Sequence, residues 1–485
     1  MRTQVPHQHS ALLAVGLSSW LIACGGIESP PASQEHALRS APDPKNTVTI
    51  HVHGWNLSGA SKTGTVGDDR GGGSTVDGIR RFTGMPHGST SPTATDQIIG
   101  TEYYGKILPS YYSAADIAEV DALSGVPRYA AIVGKYARYV MQRSGAEGVN
   151  LTCHSMGCLI SHYIIENDVE KLASEGKLRR WVSFAGVVGG AKLADLDRGK
   201  WLDPLAKLLG YDLIDVEHMS YDWVTDKVTI YDHKRRDGNN PYFGNILVHH
   251  ILATNPKIDT ALSIPLLDLL GSANAPNDGI VLDDEMYLHE QQPSARWTTP
   301  SGTQLPTSQS HHFANHFNIT EQVSAQALAS AALTGSRRVQ VQLSKITLRN
   351  DKEDPFFGKP PAEVVVESTV KYAYVNAIEA SEPTLDEVSM ARRNAPVLSM
   401  NKGETKTPNL MIFDGPVFDG QTSVSLNVKL SETDFYPAGG VNENLLSAPA
   451  PLGAFSGDVP LAAGDYTVTT ADAVFTLHVS VEKLY

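Results

Sequence analysis

Residues 148–171 constrain this chain most. Gly148-Val149-Asn150-Leu151-Thr152 reads as a short strand, Cys153-His154-Ser155-Met156-Gly157 as a tight turn, and Cys158 to about Lys171 as a largely apolar helix. A strand that bends at once into a helix strains the residue at the bend and exposes its side chain. The neighbours two positions away on each side crowd together there, so both must be small. Around this segment the periodicity alternates. Thr47–Val52, Gln97–Tyr104 and Arg179–Phe184 read as strands, the last leading into Ala185-Gly186. Val126–Arg143 reads as a helix: Val126, Tyr129, Val133, Tyr136, Ala137 and Val140 share one face, Arg128, Lys135 and Arg138 lie off it, and Ser144-Gly145 closes it. Strands and helices in this order predict an α/β class with a mostly parallel sheet covered on both faces.

The texture changes near Arg337. Val339, Val341 and Leu343 alternate with polar residues, as do Val424, Leu426, Val428 and Leu430, and Phe475, Leu477, Val479 and Val481. Alternation punctuated by Pro and Gly predicts an antiparallel sandwich. At 485 residues the chain exceeds one ordinary core. The expected division is an α/β body over 47–336 and an all-β sandwich-like domain over 337–485, with an Ala-rich helix, roughly Glu321–Leu333, just before the boundary. Two stretches read as irregular or inserted. Asn56 to about Thr95 reads as one long Gly-rich loop. About 190–245 reads as a cap or lid, where Trp201, Leu202, Leu205, Leu208 and Leu209 could form one apolar stripe. In the sandwich, Asp351, Glu353 and Asp354 form an acidic cluster. It reads as a solvated loop, or as the oxygen-rich loop of a calcium-dependent, C2-like membrane module.

The bend places Ser155 as a nucleophile, and the backbone N–H of Met156, at the head of the helix, as one donor to an oxyanion. The remaining parts rest on a resemblance. His53-Gly54-Trp55 after the first strand, Cys153-His154-Ser155-Met156-Gly157, Asn277-Asp278-Gly279-Ile280-Val281 and Asn315-His316-Phe317-Asn318 occur in that order. Together they resemble the α/β-hydrolase superfamily, and in particular bacterial secreted lipases and esterases. The resemblance covers roughly residues 47–335. It implies the α/β-hydrolase fold and serine carboxylic-ester hydrolysis; no cofactor and no metal are expected. It implies Ser155 as nucleophile, Asp278 as acid and His316 as base, with the backbone of Trp55 as the second oxyanion donor. Asp283 and Asp284 are reserve acids, and His312 is the alternative base. Two departures stand out. Cys153 occupies a position that is glycine in the family's G-x-S-x-G. Asn318 occupies a position that is often a calcium-binding aspartate, so a family-like calcium site is not expected. His312 and His316, four apart, could face one metal on a helix, but no Glu stands between them.

The N-terminus reads as an export signal. Arg2 precedes an apolar run from Ala11 to Ala23, too short for a comfortable span, which ends in Leu21-Ile22-Ala23-Cys24-Gly25. That ending resembles a bacterial lipobox. It implies a lipoprotein signal peptide over 1–23, lipidation at Cys24, a flexible tether over 24–46, and export to a membrane-anchored place in the cell envelope. Export permits a disulfide between the remaining cysteines, Cys153 and Cys158, although two cysteines about one turn are not a disulfide framework. The formal net charge of −14 argues against nucleic acid, whose binding runs on clustered Lys and Arg. The expected partners are an ester or lipid substrate and the membrane. An envelope acyltransferase of the same fold is the enzymatic alternative, and a surface binding or adhesion lipoprotein using the fold as scaffold is the other.

Overall fold

A computed structural model describes residues 46–55, 73–87, 95–196, 213–229, 246–256, 277–288, 296–298, 304–306, 308–350, 361–373, 385–389, 398–432 and 450–483. The signal, Cys24, the tether as far as residue 45, the Trp201–Leu209 stripe and the Asp351–Asp354 cluster lie outside these residues.

The first part runs β1 (Thr47–Val52), α1 (Gly73–Thr83), β2 (Ile98–Thr101), α2 (Ala114–Asp121), α3 (Gly125–Ser144), β3 (Gly148–His154) and α4 (Met156–Glu166). It continues with β4 (Leu178–Phe184), α5 (Lys192–Leu196), α6 (Leu213–His218), α7 (Tyr221–Lys227), β5 (Leu247–Ala253), the β6–β7 hairpin (Arg296–Thr298, Gln304–Pro306), β8 (Ser308–His312) and α8 (Val323–Thr334). Six strands form one sheet in the order β2-β1-β3-β4-β5-β8, every neighbouring pair parallel. The chain goes outward from β1 to β2 and returns past β1 to β3. The order therefore reverses beside β1, where open parallel sheets make a crevice at the carboxyl ends of their strands. β1 and β5 are buried at every residue, as strands covered on both faces must be.

Several elements depart from their sequence reading. The segment 56–95 is not one long loop, because it contains α1. Val76, Ile79 and Phe82 recur at helical spacing and are buried, but they stand among Gly73, Gly78, Asp77, Arg80 and Arg81, which hide the period. Burial of each such side chain contributes about 1.5–3 kcal/mol, more than the roughly 1 kcal/mol that a helical glycine costs. Gly78 is needed: a Cβ there would stand 2.0 Å from Gln326 Cδ. Gln326 is itself fixed by donating to Ser74 O and Thr320 O at 3.1 and 2.7 Å. The strand expected over Gln97–Tyr104 is shorter, and Tyr103 and Tyr104 leave the sheet for the crevice. α4 ends at Glu166, and Val169–Lys171 is a separate 3-10 turn. α3 closes as expected, at Gly145 in the left-handed conformation (φ 74°), whose N–H bonds Met141 O.

The second part holds β9 (Arg337–Leu348), β10 (Ala362–Ala373), β11 (Leu385–Ser389), β12 (Leu398–Met400), β13 (Thr405–Lys406), β14 (Leu410–Val417), β15 (Ser423–Glu432), β16 (Ala450–Pro460), β17 (Gly464–Thr469) and β18 (Ala473–Lys483). They form two antiparallel sheets, β11-β10-β15-β16 with β12 on β10, and β13-β9-β18-β17 with β14 on β9. Val339, Val341 and Leu343 from one sheet and Val424, Leu426 and Val428 from the other share one core. Phe82, Ala327 and Leu328 of the first part enter that core, and joining α1 and α8 to it ties the two parts together.

Candidate active site

Ser155 sits at the bend between β3 and α4 with φ 53° and ψ −128°, a strained conformation that the surrounding packing imposes. The bend lies against the end of β1. A Cβ at Gly157 would stand 2.2 Å from Val52 O and 2.4 Å from His53 O, and one at Gly54 2.9 Å from Ser155 Cβ. Only glycine fits at either place, because the obstacles are fixed: backbone at the end of β1 for Gly157, and the bend itself for Gly54. The other small position, Cys153, is turned away from the crevice. Its sulfur is bonded to Cys158, with Cα atoms 5.0 Å apart, and both residues are fully buried. Trp181 Nε1 also donates to Cys153 Sγ at 3.2 Å. The departure from glycine is thus accommodated by turning the side chain into the core, and the disulfide encloses Ser155.

Three residues far apart in the chain meet at this bend. Ser155 Oγ lies 2.9 Å from His316 Nε2, and Asp278 Oδ2 lies 2.7 Å from His316 Nδ1. A carboxylate only accepts, so Nδ1 carries the proton and Nε2 is left to accept from the serine hydroxyl. Asp278 is fully buried. Its second oxygen accepts from Ile280 N and Val281 N at 2.9 and 2.8 Å, while Asn277 Oδ1 accepts from Gly279 N. The Asn-Asp-Gly turn therefore aims one oxygen at the histidine by occupying the other. The histidine loop is held as firmly. His316 N donates to Asp278 O at 3.1 Å. Asn315 Oδ1 accepts from Phe317 N and Asn318 N, and Asn318 Oδ1 from Asn315 N. Asn318 thus serves the turn itself.

The alternatives fall elsewhere. His312 ends β8 and does not share a helix with His316. It is buried in a chain of hydrogen bonds, His249–Ser310–His312–Ser324, and burial, with His311 second, pushes its pKa down to about 3. His312, the alternative base of the sequence reading, therefore lies away from Ser155 and Asp278. Among the described residues no group of three or more His, Cys, Asp or Glu is arranged to hold a metal. Asp283 faces His311 Nε2 at 3.3 Å and Asp284 is exposed, so neither reserve acid reaches His316. His51 lies in β1 against Thr152, with its pKa lowered to about 3 by burial first and His53 second.

Four supporting residues escaped the sequence reading because their partners are distant in the chain. His154 Nε2 donates to the carbonyl of His316 at 2.8 Å, and burial first, then His316, lowers its pKa to about 3. Tyr103 Oη donates to His53 O and Gly54 O at 3.0 and 2.9 Å. Asp215, fully buried on α6, accepts from Trp55 Nε1 at 3.2 Å and Tyr129 Oη at 2.9 Å. Glu285 accepts from Leu282 N, Lys192 N and Tyr221 Oη, joining the acid loop to α5 and α7. Burial is the largest influence on Glu285 and raises its pKa to about 7.

The chain is similar to the mature form of a Bacillus licheniformis lipase, BlEst2, at 18% identity and a TM-score of 0.35, over 59% of this chain and 89% of that one. It is similar to phospholipase PlaB from Legionella pneumophila at 11% identity and a TM-score of 0.37, over 85% of this chain and 90% of that one. A hyperthermophilic esterase from Pyrobaculum calidifontis is similar at 12% identity and a TM-score of 0.31, over 61% and 78%. No family model and no curated protein matches the sequence. The fold is that of the α/β-hydrolases. The parallel strand order and the serine at the bend after β3 carry that assignment without the neighbours.

Proposed function

We propose that the protein is a serine carboxylic-ester hydrolase, a lipase or esterase, working through Ser155, His316 and Asp278. One observation carries this reading: the unbroken hydrogen-bonded path from Ser155 Oγ through His316 to Asp278, at 2.9 and 2.7 Å. His316 Nε2 takes the serine proton as Oγ attacks the ester carbonyl. Asp278 holds the ring and stabilises the imidazolium. The oxyanion accepts from the backbone N–H groups of Trp55 and Met156, a type of donor whose removal costs about 10²–10³-fold in rate. His316 then gives its proton to the leaving alcohol. Water, deprotonated by the same nitrogen, releases the acid from the acyl-enzyme.

The substrates proposed are acyl lipids or other esters outside the cytoplasm, where the Cys24 lipobox would anchor the chain to the cell envelope. The Cys153–Cys158 disulfide fits an oxidising compartment. Hydrolysis of p-nitrophenyl esters of several chain lengths tests the chemistry, and Ser155→Ala is expected to be inert. A wild type that hydrolyses no ester, and whose serine ignores a fluorophosphonate, would favour a binding scaffold. Acyl transfer to an alcohol in preference to water would mark an acyltransferase. Palmitate labelling that survives in Cys24→Ser would remove the anchor.

A further inference from the structure

The donor assigned to Trp55 is a backbone N–H, and a backbone N–H is aimed by its peptide plane. That plane also contains the carbonyl of Gly54. Every described peptide is trans, so Gly54 C=O and Trp55 N–H point in opposite directions. Whatever holds the Gly54 oxygen therefore aims the Trp55 hydrogen.

Glycine leaves this peptide free to rotate, and the close approach of Gly54 to Ser155 excludes any residue with a Cβ. The restraint must come from hydrogen bonds to its carbonyl oxygen. Two donors supply it. Tyr103 Oη reaches Gly54 O at 2.9 Å and His53 Nδ1 reaches it at 2.6 Å, and the same tyrosine hydroxyl also reaches His53 O at 3.0 Å. Tyr103 is fully buried, its ring is stacked on His53 with centroids 4.3 Å apart, and it packs against Tyr104 and Tyr129. The hydroxyl cannot swing away without displacing these rings. Burial, reinforced by Tyr104, Asp215 and Glu102, also pushes its pKa well above the usual value, so it remains a donor at any working pH.

We propose that Tyr103 is a positioning residue of the oxyanion site: its hydroxyl fixes the Gly54–Trp55 peptide so that the Trp55 N–H faces the oxygen of the acyl group on Ser155. The role rests on the serine-hydrolase reading. It differs from packing in one respect. A packing residue affects how many molecules are folded, whereas a residue that aims the oxyanion donor affects how fast each folded molecule turns over.

The test is Tyr103→Phe in the full chain, which removes only the hydroxyl. Reactive Ser155 is counted by end-point fluorophosphonate labelling, and p-nitrophenyl ester hydrolysis is expressed per labelled site. The expected result is a fall in kcat per labelled site of about tenfold to a hundredfold, below the loss of a whole oxyanion donor. KM should stay within about twofold, because the developing charge exists only in the transition state. An unchanged kcat per labelled site overturns the proposal, whether or not the labelled fraction falls. An equal rise in KM with kcat unchanged also overturns it. If wild-type Ser155 takes no label, the hydrolase reading itself fails and the positioning role falls with it. That outcome is distinct from a labelled enzyme indifferent to the hydroxyl.

Discussion

The two parts of this molecule bury polar groups very differently. In the parallel sheet, strands are covered on both faces, so their polar residues go inside: Thr49, His51, His249, His250 and Ser310 are all buried. Each then needs a partner, since an unpaired buried polar group costs about 1–3 kcal/mol. The partners are present, as in His51 with Thr152, His250 with Ser183 and His249 with Ser308. In the antiparallel part the strands alternate. β15 buries every second residue, and of its polar residues only Glu432, at the end of the strand, is buried. Of the 17 histidines only His478 lies beyond residue 336, and it pairs with Asp465 near the surface. A sheet buried on both faces must build polar networks, and the Ser155–His316–Asp278 chain is one such network. A sheet with one solvated face has no such demand, and among its described residues no catalytic grouping is assembled.

Acid should expose this difference with the largest effect. His51, His154, His250 and His312 are held at about 3 and His249 well below its usual value, chiefly by burial. A histidine whose folded pKa is depressed supports the fold fully above its unfolded value of 6.5, and that support is lost as pH falls below it. Five together approach roughly 7 kcal/mol per pH unit, comparable to the whole stability of a domain. The first part should therefore unfold near about pH 5. Five of the six tryptophans lie between residues 47 and 336 and none lies beyond, so the fluorescence of the β-sandwich does not contribute. Amide protection of β15 and β18 should outlast that transition. Loss of both signals at the same pH would show that the shared core around Phe82 and Leu328 makes them one cooperative unit.

Next in size is the contrast between two histidines of the same part. His316→Ala should lower ester hydrolysis by about 10³–10⁴-fold or more with little change in melting temperature. His312→Ala should do the reverse. It would lose about 2–3 kcal/mol of stability by breaking the His249–Ser310–Ser324 chain and keep kcat per labelled serine. Comparable kinetic losses in both would mean that the network couples to the triad.

The smallest effect concerns Glu285, whose pKa is raised to about 7. A raised carboxyl supports the fold most when protonated, so its contribution declines as pH climbs through about 7. Between about pH 6 and about pH 8, above the acid transition, wild type should lose roughly 1 kcal/mol of stability relative to Glu285→Gln, read as a fall in melting temperature. A constant difference across that range would show that Glu285 does not titrate there.

Sequence pattern alone determined the two classes of sheet, the helix closed at Gly145 and the tight bend at Ser155. Each depends on periodicity or on steric limits between near neighbours, which are local. Asp278 and His316 were legible only through short motifs, and as bare sequence an Asn-Asp-Gly turn and one of three neighbouring histidines say little. The sequence offered both histidines, with His316 first, and the tertiary structure brings His316 and not His312 within hydrogen-bond distance of Ser155 and Asp278. β8 carries His312 into the core before the chain turns, and the Asn315–Asn318 turn then swings His316 to the bend. The helix over Gly73–Thr83 was hidden for a similar reason, because its apolar face is narrow and its burial depends on α8, some 250 residues later by the Ile79–Ser330 separation of 251. Tyr103, His154, Asp215 and Glu285 belong wholly to this second kind. Their roles are hydrogen bonds to residues tens to well over a hundred positions away, and such bonds exist only once the sheet order has brought those positions together.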